Sequence, residues 1–540
     1  MQDEARALPE SPRPAWHRVL VALLVINALL VVPEWWMPYG GFLAPVLAPE
    51  ALVAVGGLLL APARLARLLA LPATLIVLTA VGLALSDLAT GWALGRPVNV
   101  YIDFPLLASV EHLLRGAIGA PLAWAVLLGA LGLLVVLTWR LVRGLGALRG
   151  AAGNGWRATV TGLLLLVAGM LLWQSRDVPA LAKAVDTPLA IRLSDQAERL
   201  ALTAQAYRHF PEMLRALPAT PVDPDRLDGR DVILAFIESY GVTLTNNPGY
   251  RTTGLAALDA MQASLAAAGL SVVTGHFDSP VQGGQSWLAH GTVLSGLWLD
   301  DQIRYDLYLA EDPPSLIDDF AAAGYTTAAI MPAITDPWPA GRQWGYDQVH
   351  DHARIDYAGP ALNWVTMPDQ YTWHYFQEQV RAPAERPLFA ELALISSHAP
   401  WTPIIDIVAW DQLGRGEVFA RWGDAGPSPG AVWSDRERVR RHYVRAVDYA
   451  LRTAGQWAAR SLDDGVLILL GDHQPAPLIT GEEASRAVPV HVISADAGLL
   501  ADFRRQGFRA GVLGGPESLG SLADLRGQLH AVFDGGQAPR

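Results

Sequence analysis

The sequence predicts an α-helical membrane domain of five transmembrane helices, followed by an α/β sandwich domain with a mainly parallel central sheet. The chain has 540 residues, too many for one ordinary hydrophobic core. It is 51% hydrophobic and only 17% charged, which indicates a membrane portion. Charge is unevenly spread: residues 1–176 carry 12 Arg and 8 acidic residues, net +4, whereas the remainder carries 28 basic and 44 acidic residues, net −16. Two physically different halves follow.

The first half, residues 1–176, contains five long apolar runs, and we assign one transmembrane helix to each. A helix needs about 20 apolar residues to cross a bilayer. The second run is the weakest, because it contains Pro45, Pro49 and Glu50. The first run is interpreted as an uncleaved signal anchor, since no small-residue cleavage site follows it. The runs cover residues 19–36, 42–62, 68–86, 118–139 and 158–174.

Basic residues concentrate before the first run, between the second and third runs, and between the fourth and fifth. These residues are Arg13, His17, Arg18, Arg64, Arg67, Arg140, Arg143, Arg149 and Arg157. The positive-inside rule makes these segments cytoplasmic. An odd number of spans then places everything after residue 176 outside the cytoplasm. We therefore expect a multi-pass protein of the bacterial inner (plasma) membrane whose second half is periplasmic or extracellular.

The second half begins with residues 177–228, which are predicted to form an amphipathic helical linker ending at the breaker "PATPVDPD". Across residues 229–540 the pattern changes, and short apolar runs alternate with helical stretches. Continuous apolar strands that alternate with helices predict a mainly parallel sheet covered on both faces. We interpret residues 229–540 as one extracytoplasmic α/β domain.

Three predicted strands of this domain end in conspicuous polar residues, and sites in open parallel sheets form at the carboxyl ends of strands. "VILAFIES" ends in Glu238, "VLILLGDHQP" in Asp472 and His473, and "FAELALISSHAPW" in His398. Two carboxylates and a histidine at one sheet edge are what a divalent cation requires, and a bound cation resolves the cost of burying charge. Each residue also has a structural alternative, such as Asp472 as a helix N-cap.

The segment "GGQSWLAHGTVLSGL" supplies a candidate nucleophile. A Gly-Gly turn leads to Ser286 at the start of a predicted helix, where the local field favours anions such as phosphate. Metal binding by the Ser286 hydroxyl would make it nucleophilic near neutral pH. The alternative is that Ser286 is an ordinary N-cap. Thr292 and Ser295 are weaker competitors for the nucleophile.

Other chemistries are excluded by composition. Cysteine is absent, so the chain has no disulfide framework, no thiolate nucleophile and no cysteine metal site. No part of the chain is basic enough to indicate nucleic-acid binding. The reactive groups must therefore be oxygen and nitrogen atoms.

Several stretches occur in the order seen in the sulfatase-like branch of the alkaline phosphatase superfamily. With membrane spans before them, they resemble the lipoteichoic acid synthases and the phosphoglycerol and phosphoethanolamine transferases. The resemblance implies an alkaline phosphatase-like fold and one divalent metal ion (Mn²⁺, Zn²⁺ or Mg²⁺) held by Glu238, Ser286, Asp472 and His473. The stretches are "VILAFIESYG", "GGQSWLAHGTVLSGL", "WGYDQVHD", "ELALISSHAPW", "RAVDYAL" and "LILLGDHQP".

The same resemblance implies roles for residues that bind substrate. His398 matches a histidine that contacts the substrate phosphate, and Trp338 and Arg342 are candidates for contacts with the head group. The closest transferases usually have Thr as nucleophile, where this chain has Ser. Four residues after Ser286 stands His290, where a formylglycine sulfatase has Arg, which argues against that class. His290 either faces the phosphate as a catalytic residue or packs on its own helix.

We therefore expect a metal-dependent membrane phosphotransferase that moves a phosphoglycerol-type or phosphoethanolamine-type head group through a phosphoserine intermediate. The donor would be a membrane phospholipid, the acceptor an envelope glycan or lipid, and the protein a monomer. One alternative is an extracytoplasmic phosphodiesterase or sulfatase-like hydrolase that uses the same residues. A second is a membrane protein whose degenerate domain serves only for binding or for envelope structure.

Overall fold

A computed structural model describes residues 16–36, 45–148, 154–175, 178, 184–215, 217, 226–481 and 484–534. The chain divides into two compact units. The first comprises residues 1–92 and 96–205, and the second residues 93–95 and 206–540. The first unit is helical, and the second is built on one eight-stranded sheet. An apolar helical region followed by an α/β domain confirms the predicted fold class.

Within the described residues, the first unit contains four helices that are long and apolar enough to cross a membrane. They are α1 with its 3₁₀ continuation, α3, α6 and α7. The remaining helices are shorter or more polar, and α8 begins in the first unit and continues into residues of the second. The bounds are α1 Trp16–Val31, α2 Pro49–Leu60, α3 Ala63–Leu94, α4 Val100–Asp103, α5 Leu107–Ile118, α6 Ala120–Ala147, α7 Asn154–Gln174 and α8 Pro188–Arg215.

The predicted second span, residues 42–62, differs from expectation. Its helical part, α2, has only 12 residues, or about 18 Å at ~1.5 Å per residue, against a hydrocarbon core of about 30 Å. Pro49 begins the helix, and Pro62 ends it because the residue before a proline is disfavoured in helical conformation. Of the five predicted spans, four therefore correspond to long apolar helices and the second, whose residues 42–44 lie outside the described residues, to the short apolar helix α2.

An ion-pair cluster shows that the chain nevertheless turns back through α2. Arg192 of α8 donates to Glu34 at the end of α1 and to Asp87 in the last part of α3, each at 2.6 Å. The later parts of α1 and α3 therefore lie at the same end of the unit. The short helix between them runs the other way and packs on α7, where Thr161 Oγ1 donates to the carbonyl of Gly56 at 3.1 Å.

The second unit contains an eight-stranded sheet with the order β4-β3-β5-β1-β6-β7-β2-β8. Strands β4, β3, β5, β1 and β6 are parallel, whereas β7, β2 and β8 pair antiparallel at one edge. The strands are β1 Val232–Ile237, β2 Ser271–Asp278, β3 Thr326–Met331, β4 Gln348–Asp351, β5 Leu388–Leu394, β6 Val466–Gly471, β7 Ala487–Ser494 and β8 Arg509–Ala510.

Helices cover both faces of this sheet. The longest is α17, and α11 carries the predicted nucleophile at its first residue. The helices are α9 Thr243–Asn246, α10 Pro248–Ala267, α11 Ser286–Ser295, α12 Gln302–Glu311, α13 Leu316–Ala322, α14 Pro339–Gln343, α15 Asp369–Tyr375, α16 Pro429–Trp433, α17 Arg436–Ser461, α18 Pro477–Thr480, α19 Ala497–Arg505 and α20 Leu522–Phe533.

Strand β1 is apolar throughout because both of its faces are buried. Ile233, Ala235 and Ile237 contribute to the core under α10 and α17, whereas their neighbours at 232, 234 and 236 contribute to the core under α11. Successive side chains of a strand alternate between faces. Glu238 continues the alternation of residues 232, 234 and 236. It therefore lies at the carboxyl end of β1, on the face of the sheet that α11 covers.

Candidate active site

The register of three parallel strands brings their polar ends to one level. Ile237, the last residue of β1, pairs with Leu394 of β5 and with Gly471 of β6. The next residues are Glu238, Ile395 and Asp472. Two further hydrogen bonds prolong the ladder, from Glu238 N to Leu394 O at 3.0 Å and from Asp472 N to Ile237 O at 3.3 Å. Glu238 and Asp472 are consequently neighbours.

Glu238, Asp472 and His473 form a compact cluster of potential metal ligands. Their ligand atoms lie within 4.8 Å of one another, and His473 Nε2 is 3.4 Å from Glu238 Oε1 and 3.7 Å from Asp472 Oδ2. Asp472 and His473 are buried, and Glu238 is 9% exposed. Oxygen and imidazole ligands in this arrangement are typical of a site for one divalent cation.

Ser286 completes the cluster from the facing helix. Its Oγ donates to Glu238 Oε2 at 2.9 Å and lies 3.2 Å from His473 Nε2. Gly283, Gly284 and Gln285 all have positive φ angles, so the chain turns sharply before α11 begins at Ser286. The N-cap position is held by Gln285, so the alternative that Ser286 is an ordinary N-cap does not describe this geometry.

The competing hydroxyls of α11 have structural hydrogen bonds instead. Thr292 Oγ1 accepts from Leu299 N at 3.1 Å, and Ser295 Oγ accepts from Leu297 N at 3.0 Å. Both side chains are fully buried near the end of the helix that is remote from the ligand cluster. Among the three hydroxyls considered from the sequence, only Ser286 is hydrogen-bonded to the cluster.

The hydrogen bonds of His473 prepare its second nitrogen for metal binding. Its Nδ1 lies 2.9 Å from the carbonyl oxygen of Gln474. A carbonyl only accepts, so Nδ1 carries the hydrogen, and the neutral ring has its lone pair on Nε2, which faces Glu238 and Ser286. Such second-sphere hydrogen bonds are the usual way of fixing the tautomer of a metal-binding histidine.

Backbone groups also hold Asp472 in one orientation. Its Oδ1 accepts from Ser239 N at 2.8 Å and from its neighbour His473 N at 2.6 Å. Oδ2 is the oxygen that faces His473 Nε2. One carboxylate oxygen is thus engaged by the backbone, and the other is directed to the cluster.

The electrostatics of the two carboxylates are opposite. Burial alone would raise the pKa of Glu238, but the imidazoles of His473 and His398 and the hydroxyls of Ser239 and Ser286 outweigh it and lower the pKa to about 2. Burial and the adjacent Glu238 carboxylate raise the pKa of Asp472 well above its usual value. Two buried carboxylates therefore compete for the available positive charge. A divalent cation would relieve that competition, so the donor set fits the predicted metal.

His398 lies on the loop after β5. Its Nδ1 donates to the carbonyl of Ala399 at 2.6 Å, and its charge helps to lower the pKa of Glu238. Its Nε2 makes no hydrogen bond with any residue that the structure describes. The preceding Ser397 donates from Oγ to the carbonyl oxygen of Glu238 at 2.5 Å, which ties this loop to the metal-ligand strand.

His290 was predicted either to be a catalytic residue or to pack on its own helix. Its hydrogen-bond partner is Glu391 and not Ser286. Its Nδ1 lies 2.7 Å from Oε1 of Glu391, and its ring stacks on Phe236 with centroids 3.7 Å apart. Glu391 also accepts from the hydroxyl of Tyr346. Glu391 was not among the predicted site residues. A glutamate in the middle of the apolar strand "LFAELAL" could have indicated a buried polar partner.

The predicted head-group residues lie next to or in α14. Trp338 is half-buried with its ring over Gly341, and Arg342 is exposed. Among the described residues, neither side chain forms a hydrogen bond or an ion pair with Glu238, Ser286, Asp472 or His473. Their role in substrate binding stays a prediction.

Part of the chain matches a known protein family. Residues 293–479, about a third of the chain, match the sulfatase family model. This stretch includes His398, Asp472 and His473, whereas Glu238 and Ser286 precede it. The match confirms two predictions made from the sequence: the chain resembles the sulfatase-like enzymes of the alkaline phosphatase superfamily, and it is an enzyme. No curated protein matches the sequence.

Several solved structures are similar at 13–15% identity. The lipoteichoic acid synthase LtaP from Listeria monocytogenes is 15% identical, with 61% of this chain and 78% of that chain covered and a TM-score of 0.37. The integral membrane protein lipooligosaccharide phosphoethanolamine transferase A (EptA) from Neisseria meningitidis is 14% identical, with 98% and 97% covered and a TM-score of 0.48. Phosphonate monoester hydrolase SpPMH from Silicibacter pomeroyi is 14% identical, with 57% and 74% covered and a TM-score of 0.33. These similarities assign no substrate to this chain.

The loop of His398 is anchored by a buried aspartate with an unusual protonation. Asp369 N donates to Ser396 Oγ, and Ser396 N donates to Asp369 Oδ1, both at 2.8 Å. Asp369 is completely buried, and this burial outweighs the hydrogen bonds from Ser396 and raises its pKa from 3.8 to about 7. In the unfolded chain the carboxyl releases its proton at a lower pH. The folded protein thus binds more protons between these two values.

We predict that Asp369→Asn flattens the pH dependence of stability between about pH 4 and pH 7. Because the folded-state pKa is raised, the wild-type protein loses stability as pH rises through this window, whereas Asn keeps the hydrogen bonds and has no proton to lose. Thermal unfolding of the full chain in detergent, measured across this range, gives the comparison. The exposed Asp406→Asn serves as control. An Asp369→Asn profile with the wild-type slope would contradict the protonated state.

Proposed function

We propose that the protein is a metal-dependent membrane phosphotransferase. It moves a phospho-head-group of the phosphoglycerol or phosphoethanolamine type from a phospholipid to an envelope glycan or lipid. One observation carries the proposal: Ser286 Oγ, at the first residue of a helix, lies 2.9 Å from Glu238 and 3.2 Å from His473 in a buried cluster of metal-type ligands. That arrangement supports activation of a hydroxyl nucleophile beside a cation.

Glu238, Asp472, His473 and Ser286 are the residues that would hold the cation, which we propose to be Mn²⁺, Zn²⁺ or Mg²⁺. When bound, it supplies positive charge that acidifies the Ser286 hydroxyl and offsets charge on a phosphoryl oxygen. Two carboxylate oxygens and one hydroxyl oxygen with one imidazole suit all three ions, so the donor set does not distinguish them.

The chain's own groups account for the first chemical step. Ser286 Oγ, after releasing its proton to solvent, attacks the phosphorus of the phospholipid as the oxyanion that the second step restores; a bond forms between them, and the bond from phosphorus to the diacylglycerol oxygen breaks. The first backbone N–H groups of α11 have no partner within the helix and favour the anionic phosphoryl group. Diacylglycerol leaves, and the head group remains on Ser286 as a phosphodiester.

His398 is placed to move protons at Nε2. Since Nδ1–H is held by the carbonyl of Ala399, proton exchange is confined to Nε2. A proton given from Nε2 to the diacylglycerol oxygen in the first step would be taken back from the acceptor hydroxyl in the second. The acceptor oxygen then bonds to phosphorus, and the bond from phosphorus to Ser286 Oγ breaks, which restores the enzyme.

We predict that Ser286→Ala abolishes transfer of label from phosphatidylglycerol and phosphatidylethanolamine labelled in the head group. It should also abolish the increase in protein mass that a phosphoserine diester produces. Loss of about 10⁶-fold in rate is typical when a covalent nucleophile is removed. Ser295→Ala, which removes a hydroxyl from the other end of the same helix, should keep both signals.

The same assay separates the competing functions. Label recovered on a glycan or lipid supports the transferase, whereas label released to water supports the phosphodiesterase alternative. If Ser286→Ala still transfers label, or if the wild-type protein never carries the head group, the proposed nucleophile is wrong.

We further propose that the second unit, which carries the candidate active site and is called the catalytic unit from here on, faces the periplasm or cell exterior from the inner membrane. Support comes from the four long apolar helices, the return of the chain through α2 and the basic segments between the helices. A phospholipid donor and an envelope acceptor are both available on that side. This placement stays a prediction.

The absence of cysteine makes the placement directly testable. We predict that Ala268→Cys, at an exposed position of the catalytic unit, reacts with a membrane-impermeant maleimide in intact spheroplasts. Ala63→Cys, exposed at the start of α3 next to a predicted cytoplasmic segment, should react only after permeabilisation. The reverse pattern of labelling would place the catalytic unit inside the cell.

A further inference from the structure

Glu391 is a carboxylate in the middle of the sheet. It lies on β5 opposite Leu234 of β1 on one side and Ala329 of β3 on the other. It is 1% exposed, and every other residue of its strand is apolar. A buried ionised carboxylate costs several kcal/mol unless partners compensate for it. Its place in the sheet is therefore not explained by packing.

Two donors from different segments converge on this carboxylate. His290 Nδ1 lies 2.7 Å from Oε1, and the Tyr346 hydroxyl donates to Oε2. His290 belongs to the nucleophile helix α11, whereas Tyr346 belongs to the segment between α14 and β4. Both side chains are largely enclosed, and that of His290 is 12% exposed. Glu391 thus joins the central sheet to two elements beside the active site.

His290 stands one helical turn after Ser286, so both residues lie on the same side of α11. Its ring lies flat on Phe236, with an interplanar angle of 17°. Phe236 precedes the metal-type ligand Glu238 by two residues on the same face of β1. Through its contacts with Glu391 and Phe236, His290 therefore connects α11, which begins at Ser286, to β1, which ends just before Glu238.

We propose that Glu391 is a positioning residue: by holding the His290 imidazole against Phe236, it fixes α11 so that Ser286 Oγ faces Glu238 and His473. This inference rests on the function proposed above. It assigns His290 a role through the helix, as the partner of Glu391, and no direct contact with the phosphate. The strand ends set the positions of Glu238 and Asp472 independently, through the backbone ladder of β1, β5 and β6.

The test compares two variants that each remove part of the same cluster. Glu391→Gln removes the charge that holds His290, whereas Tyr346→Phe removes the other donor and leaves the pair of Glu391 and His290 intact. Loss of a second-sphere partner typically costs about 10- to 100-fold in activity. For Glu391→Gln we expect a fall in kcat of that size, with KM within about threefold of wild type. Tyr346→Phe should keep kcat within about threefold.

Two further readouts need no turnover. Mn²⁺ affinity of the full chain should fall less than kcat does in Glu391→Gln, because the strand ends still hold Glu238, Asp472 and His473 and only the Ser286 hydroxyl is displaced. Amide hydrogen exchange of peptides from residues 286–295 should be faster in Glu391→Gln and unchanged in Tyr346→Phe. If even the wild-type protein transfers no head group, the proposed function fails, while exchange in α11 still decides whether Glu391 positions the helix.

The inference is overturned by unchanged kcat and unchanged α11 exchange in Glu391→Gln. It is equally overturned if Tyr346→Phe lowers kcat as much as Glu391→Gln, because the carboxylate would then act through general stability. Should Glu391→Gln fail to fold, His290→Gln probes the same link from the helix side. Faster exchange with reduced kcat in that variant supports the inference, and wild-type values overturn it.

Discussion

Two carboxylates buried side by side at the ends of paired strands are the constraint on which this active site depends. The register that aligns Ile237 with Gly471 leaves no other place for Glu238 and Asp472. Their pKa values are driven apart because imidazoles and hydroxyls outweigh burial at Glu238, whereas burial and the neighbouring Glu238 carboxylate outweigh the hydrogen bonds of Asp472. The pair fits the proposed cation site, and the Ser286 hydroxyl is hydrogen-bonded to Glu238.

The second half of the site is supplied by helices and loops that must be held against this fixed edge. Each is tied to the strands by a polar bond in an otherwise apolar core. Ser397 binds the carbonyl of Glu238, Tyr443 binds the carbonyl of Ser239 at 3.0 Å, and His290 binds Glu391. Such buried bonds are costly when incomplete, so they favour one arrangement over others. The paired strands fix the positions of Glu238 and Asp472. The hydrogen bonds of Ser397, Tyr443 and His290 hold the neighbouring loops and helices against those strands.

The sequence was sufficient for features that depend on local pattern. Continuous apolar strands predicted a sheet covered on both faces, and the strand-end rule predicted that Glu238, Asp472 and His473 would meet. Strand direction was less accessible: β7 and β2 contain short buried apolar runs like those of the parallel strands, and only pairing distinguishes the antiparallel edge. The pair of Glu391 and His290 joins positions 101 residues apart, which no local pattern reveals. The prolines of the second run marked it as the weakest span, but its hydropathy did not predict that Pro49 and Pro62 bound a helix of only 12 residues.

The most direct test of the central claim is an anomalous scattering map of the full chain crystallised with Mn²⁺ or Zn²⁺. We expect one strong peak at about 2.0–2.3 Å from ligand atoms of Glu238, Asp472 and His473, with Ser286 Oγ as the fourth ligand. A peak elsewhere in the catalytic unit, or a Ser286 hydroxyl remote from the ion at this cluster, would contradict it.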